Sequence, residues 1–239
     1  MIASVIAQTF KEWELVIVDD ASTEDLKAVV DGFADERIRL IRLEANVGVP
    51  KGVNMAMKEA KGEYIGVLAS DEFITPEKLA IQVEYMDANA GVDCVWGLPG
   101  KGEFGLRPLW EQSMLRAHNR SSEAWVRDLL ALQAPIGGAS LLMRRGVMEE
   151  LGYMDENLTV FSDHELYCRF FKKYTGVVLP YRWADEIKTA EKTQRELNSG
   201  KADGELAYVR EKHKAEAPNV GGKITIGIPS FNHAKYLKD

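Results

Sequence analysis

Short apolar runs alternate with amphipathic stretches along most of the chain. Residues 2–9 place Ile2, Val5 and Ile6 on one helical face. Residues 13–20 (WELVIVDD) form a near-continuous apolar run closing on two acids, which predicts a strand buried on both faces, as in a parallel sheet. The next segment, residues 21–34, predicts a helix with Ser22 or Thr23 as its N-cap. A second strand follows at 38–44, then a glycine-containing loop at 45–52 and a helix at 53–61 stopped by Gly62. Residues 63–72 predict a third strand, again ending in acids. Residues 75–89 predict an amphipathic helix with Pro76 in its first turn. A fourth strand is expected at 92–99. Beyond it lie an irregular glycine-rich stretch (97–107), helices at 109–117 and 122–132, a strand at 138–145 and a helix at 163–174. The charged region 185–216 reads as helical, and PNVGG (218–222) as a linker.

This βαβαβαβ order implies a mostly parallel sheet flanked by helices, with ligands outside the carboxyl ends of the strands. Two strands end in acids there, at Asp19/Asp20 and at Asp71/Glu72. Asp71 and Glu72 read either as an acidic loop favoured by the next helix's dipole or as a Mg2+ or Mn2+ site shared with phosphate oxygens. Asp19 and Asp20 either cap the next helix or accept hydrogen bonds from a nucleobase or ribose. Asp163 is either a helix N-cap or a general base at the ligand edge.

The chain has 239 residues, enough for one sizeable α/β domain or two small ones. Its net charge of −7 argues against a nucleic-acid partner held by phosphate neutralisation. An anionic substrate is still allowed, because a bound cation can invert the local field. Cys94 and Cys168 lack metal-ligand spacing, and no disulfide framework is suggested, so a cytoplasmic setting is expected. No apolar run approaches the roughly 18 residues of a membrane span, and the N-terminus lacks a leader pattern. A receiver-type phosphorylation domain would use VIVDD and Asp71, but it leaves the later motifs without a role.

Taken together, IPSFN, AQTFKEWELVIVDDAST, NVGVPKGVNMAMKEAKGEYIGVLASDE followed by TPEKL, GGASLLMRR and SDHELYCRF resemble the motifs of the inverting family 2 glycosyltransferases, which have the GT-A fold. The resemblance covers roughly residues 1–182 and 223–239. It implies a GT-A-like (Rossmann-like) α/β fold and a nucleotide-sugar donor, with UDP expected. The acceptor hydroxyl would lie on a glycan, a lipid-linked molecule or a protein, and a Mn2+ or Mg2+ cofactor is implied. Pro229, Ser230 and Asn232 would cradle the nucleotide, with Asp19, Asp20, Asn46 and Lys51. Asp71 would bind the metal and Asp163 would be the catalytic base. Glu72, Gly138, His164 and Glu165 would lie at or behind the acceptor. Such a domain would work in the cytoplasm or at the inner face of the membrane. Three positions depart from the pattern. Ala69 replaces the first acid of the metal box, Ser162 replaces a Glu before the base, and Ala184 replaces a His. Ala69, with the unusual placement of the termini, supports an alternative, a degenerate domain that binds nucleotide-sugar without transfer. Trp96, Trp110 and Trp125 are available for sugar stacking, with core packing the alternative for at least one.

The resemblance places the tail KITIGIPSFNHAKYLKD before Met1. Numbered as if Met1 followed Asp239, Ala234, Leu237, Ile2, Val5 and Ile6 share one helical face. The expected organisation is a catalytic domain at 1–217 lacking its first strand, a linker at 218–222, and residues 223–239 supplying that strand. The order reflects a circular permutation or a cut from tandem domains. The strand would insert in cis or by a swap, the latter giving a homodimer.

Overall fold

The computed structural model describes residues 1–97, 105–106, 121–131, 136, 138–186 and 201–214. The chain opens with α1 (Ile2–Ile6), β1 (Leu15–Asp19), α2 (Leu26–Asp31) and β2 (Ile38–Arg42). Leu, Val and Ile in β1 suit a pleated, covered surface, and β1 pairs in parallel with β2 from Leu15↔Ile38 to Asp19↔Arg42. The cap of α2 is Asp25, whose carboxylate accepts the Ala28 N–H at 3.1 Å, rather than Ser22 or Thr23. Ser22 is drawn back onto Asp19 instead.

Next come α3 (Val49–Glu59), β3 (Tyr64–Ile65), β4 (Glu72–Ile74), α4 (Lys78–Ala88), β5 (Cys94–Trp96) and β6 (Gly105–Leu106). α3 starts four residues before the expected point: Gly48 at φ 89° makes the turn, and Pro50 sits in the first helical turn. The expected strand at 63–72 is broken in two. β3 joins the central sheet, whereas β4 pairs antiparallel with a later strand. Between them residues 69–72 form a turn, closed by Glu72 N–H to the Ala69 carbonyl (3.2 Å) and by Ala69 N–H to the Glu72 carboxylate (2.7 Å).

The remainder comprises α5 (Ser122–Leu130), a 3-10 turn (Gly138–Ser140), β7 (Leu142–Arg144), α6 (Arg145–Leu151), α7 (Ser162–Phe171), β8 (Gly176–Val178), β9 (Tyr181–Arg182), β10 (Ala184–Glu186) and α8 (Lys201–Lys214). The expected strand at 138–145 is therefore a 3-10 turn leading into β7, and α7 begins at Ser162. The expected helix at 109–117 lies outside the described residues, as do residues 215–239 with the linker and tail.

The central sheet has the order β3-β7-β5-β8, and β1–β2 forms a separate pair. Pairing is mixed rather than mostly parallel. β1–β2 and β5–β8 are parallel, while β7 runs antiparallel to both β3 and β5. A short buried apolar run carries no mark of its direction, so the pattern along the chain could not reveal the reversal of β7. Beneath the sheet, Trp125 stacks on Phe171 at 4.7 Å, and Trp96 meets both edge-on at 5.3 and 5.7 Å. Trp96 and Trp125 are 1% and 3% exposed, which makes them core residues and not sugar platforms. Trp110 lies outside the described residues. A Cβ on Gly176 would come within 2.4 Å of the Trp96 ring, so only glycine admits the indole there. No helix among the described residues is long and apolar enough to cross a membrane.

Candidate functional site

The acids at the strand ends divide into those engaged by the scaffold and those left open. Asp19, at the end of β1, is buried. Its Oδ1 accepts the Ser22 hydroxyl at 2.6 Å and the Ser22 N–H at 2.9 Å, and Arg42 approaches Oδ2 at 3.2 Å. The Ser22 hydroxyl, then its N–H, hold the Asp19 carboxyl below the usual carboxylate range. Asp20 reaches across to the loop before α3, accepting N–H groups from Val47 (2.6 Å) and Gly48 (2.9 Å). Asn46 returns a bond to the Asp20 carbonyl at 3.1 Å. Asp20 and Asn46 together pin this loop to the end of β1, and Lys51 stands exposed on the first turn of α3.

Asp71 occupies a central position of the 69–72 turn and is half-buried. Among the described residues its carboxylate has no hydrogen-bond or ion-pair partner. Glu72 is committed to closing the turn. Ala69 brings only a backbone N–H, so the turn contributes fewer carboxylates than the motif leads one to expect. Among the described residues no group of three His, Cys, Asp or Glu side chains is close enough to hold a metal ion. An unpartnered oxygen donor still suits a hard cation that takes its other ligands from phosphate and water.

Asp163 lies in the first turn of α7, where the helix dipole favours negative charge. It is not the N-cap, which is Phe161. Its side chain is 43% exposed, and among the described residues its Oδ1 meets only the N–H of His164 (2.7 Å) and the His164 ring Nδ1 (3.1 Å). Glu165 points the other way and is fully buried. Burial alone would raise its pKa, but bonds from His213, Arg169 and Lys212 outweigh that and hold it at about 2. It is therefore a buried acid that ties α7 to α8.

Tyr167, one turn after Asp163, links several predicted positions. Its hydroxyl is 3.9 Å from where a Cβ on Gly138 would stand. Burial first, then the negative charges of Asp163 and Glu72, push its phenol well above the usual value. The Tyr167 hydroxyl thus stands beside Gly138. Glu205, on α8, accepts the N–H groups of Thr159, Val160 and Phe161 at 2.8, 2.7 and 3.1 Å, fixing the loop that leads into Asp163. Neither residue was singled out from the sequence. The i, i+4 spacing of Asp163 and Tyr167 was visible there, whereas nothing local marks Glu205. Pro229, Ser230 and Asn232 lie outside the described residues.

Comparison with known proteins gives this edge a context. A profile described as Glycosyl transferase family 2 matches residues 1–152. The chain is 28% identical over 178 residues to the putative glycosyltransferase EpsE of Bacillus subtilis, covering 72% of this chain and 61% of that protein. It is 38% identical over 88 residues to WfgD of Escherichia coli, named as a UDP-Glc:alpha-D-GlcNAc-diphosphoundecaprenol beta-1,3-glucosyltransferase, covering 37% of this chain and 35% of that one. The chain therefore spans less than two thirds of the length of these relatives. Among solved structures, S. aureus TarS 1-349 in complex with UDP-GlcNAc superposes with TM-score 0.68 at 21% identity, over 93% of this chain and 63% of the other. The mannosyltransferase PcManGT of Pyrobaculum calidifontis, in complex with GDP-Man and Mn2+, gives 0.64 at 17% identity, over 94% and 60%. The fold is GT-A-like, and the chain belongs to glycosyl transferase family 2.

Proposed function

We propose that this domain transfers a sugar from a UDP-sugar to an acceptor hydroxyl with inversion at the anomeric carbon, and that Asp163 is the general base. One observation carries the reading: Asp163 is a half-exposed carboxylate at a helix N-terminus with no Lys or Arg against it among the described residues. Asp19, Asp20 and Glu165 are committed to the scaffold. In the reaction the acceptor oxygen bonds to the anomeric carbon as the bond from that carbon to the diphosphate oxygen breaks. The acceptor proton passes to the Asp163 carboxylate, and UDP departs on the opposite face. A carboxylate serves as base for an alcohol if the proton moves late, once the oxygen is already bonding to carbon.

Asp71 would hold a Mn2+ or Mg2+ ion, which when bound stabilises the charge developing on the diphosphate. Asn46, Lys51 and residues 229–232 would line the nucleotide. The donor assignment rests on relatives named or crystallised with UDP-sugars. The name of WfgD favours a lipid-linked acceptor, which would bring the domain to the inner face of a membrane. Ala69 favours a second reading, a domain that binds nucleotide-sugar without transfer. UDP release measured over a panel of donors and acceptors separates the two. Asp163→Asn should keep donor binding and lower turnover about 100- to 10,000-fold; undiminished turnover removes Asp163 from the mechanism.

A further inference from the structure

Tyr167 carries a polar group that core packing does not explain. The residue is 6% exposed, and its ring belongs to the main apolar core. Among the described residues its hydroxyl has no hydrogen-bond partner. A buried hydroxyl without a partner loses the hydrogen bonds it makes in water, and phenylalanine would fill the same space without that loss. Packing alone therefore selects phenylalanine here, and the oxygen calls for a partner.

Two elements fix where this hydroxyl stands. On α7, Asp163 and Tyr167 are four residues apart and share a face. Helical side chains lean toward the N-terminus, so the Tyr167 ring leans back toward the turn that carries Asp163. The other element is the 3-10 turn. Chain neighbours aside, a Cβ on Gly138 would meet the Tyr167 oxygen at 3.9 Å and no other described atom within 4 Å. Glycine thus leaves open the space beside the hydroxyl that a side chain would take. The turn itself is firmly held. Leu141 donates its N–H to the Gly138 carbonyl at 3.0 Å, Gln82 of α4 donates to the Ser140 carbonyl at 2.7 Å, and Gly97 donates its N–H to the Ser140 hydroxyl at 3.3 Å. β4 packs on the same turn, and β4 begins at Glu72, directly after Asp71. The hydroxyl therefore stands where the α7 face bearing Asp163 meets a turn packed against the strand that follows Asp71. Burial, then the Asp163 charge, keep the phenol protonated, so it presents an O–H donor.

We infer that Tyr167 is an acceptor-binding residue: its O–H donates to a second oxygen of the acceptor, next to the hydroxyl that Asp163 deprotonates, and Gly138 keeps the way to it open. This rests on the transferase reading with Asp163 as base. A sugar suits both groups, because it carries further oxygens beside the attacking hydroxyl. One oxygen gives its proton to Asp163, and another accepts from Tyr167. A lone alcohol, such as a serine side chain, would leave the phenol unpaired. The pair therefore selects a sugar, free or lipid-linked, over a protein side chain.

Steady-state kinetics on the full chain test this. UDP-glucose and UDP-GlcNAc serve as donors, and GlcNAc-diphosphoundecaprenol, free N-acetylglucosamine, free glucose and a serine peptide as acceptor probes. Transfer to a sugar probe is expected. Tyr167→Phe should raise the acceptor KM about 3- to 10-fold, as for one lost hydrogen bond, with the donor KM and the thermal midpoint unchanged. Gly138→Ala should also raise the acceptor KM without loss of stability, since its Cβ meets no clash. An unchanged acceptor KM in Tyr167→Phe overturns the inference. So does a rise in the donor KM instead, or a fall in kcat alone, which would put the hydroxyl to work on Asp163. A lowered thermal midpoint in Tyr167→Phe would assign the hydroxyl to the fold, and preferred transfer to the serine peptide would remove the sugar; both overturn it. In all these cases the parent chain still transfers, so the transferase reading stands. A parent chain that turns over no donor–acceptor pair removes that reading, and this inference with it.

Discussion

Lys212 of α8 stands 2.9 Å from the buried carboxylate of Glu165 in α7, and Arg169 meets the same carboxylate at 2.6 Å. The carboxylate thus ties the last turn of α8 to the helix that carries Asp163. Its folded pKa of about 2 lies below the reference of 4.5. A lowered carboxylate pKa gives stability that is full above the unfolded value and lost as pH falls through the folded one. The chain should therefore lose about 3 kcal/mol between roughly pH 4.5 and 2 from this group alone. Glu165→Gln should be less stable at neutral pH and should lack that part of the acid transition, as urea titrations across this range would show. Parallel pH profiles for parent and variant would contradict the assignment.

Glu205 acts on the same helix from further along the chain. Three N–H groups of residues 159–161 converge on its carboxylate, two residues before Asp163. Glu205→Ala releases that loop without touching donor or acceptor. Acceptor turnover is expected to fall about 10-fold, with the Kd for UDP unchanged, and Glu205→Gln should recover part of the loss because its amide oxygen still accepts. If UDP affinity and turnover fall together in the alanine variant, Glu205 has a wider structural role.

Much of this was legible beforehand, and the rest was hidden for identifiable reasons. Apolar runs located β1, β2 and β5, and helical spacing located α4, α5 and α7. The splitting of residues 63–72 was hidden, because the pairing of β4 with β10 is made more than a hundred residues away in the chain. Composition pointed to the acids but could not say which were occupied. Asp19 and Asp20 look alike in VIVDD; one is buried on Ser22 and the other clasps Val47 and Gly48. Glu205 sat in a stretch legible only as charged helix, and its role exists only once α8 docks on the 159–161 loop.

The aromatic core offers a stability test independent of chemistry. Trp96 packs edge-on to Trp125 and Phe171 while almost wholly buried. Trp96→Ala should cost about 3–5 kcal/mol in denaturant unfolding. Gly176→Ala pushes a methyl into the same indole and should cost about 1–3 kcal/mol by overpacking. A neutral Gly176→Ala would show that the Trp96 ring can move aside.

Asp20 and Asp71 should respond in opposite ways, and the contrast bears on the candidate metal site. Asp20 receives two loop N–H groups, and its removal frees the segment that leads into α3. Asp20→Ala should lose about 1–2 kcal/mol of stability, as expected for charge-assisted bonds that are partly exposed. Asp71 has no partner among the described residues, so Asp71→Ala should leave the thermal midpoint nearly unchanged. Calorimetry with UDP, with and without Mn2+, should then show that Mn2+ strengthens binding to the parent chain and not to Asp71→Ala. Retained Mn2+ enhancement in that variant would take the cation away from the 69–72 turn. Loss of stability in Asp71→Ala, with Mn2+ enhancement intact, would make Asp71 one more acid engaged by the scaffold.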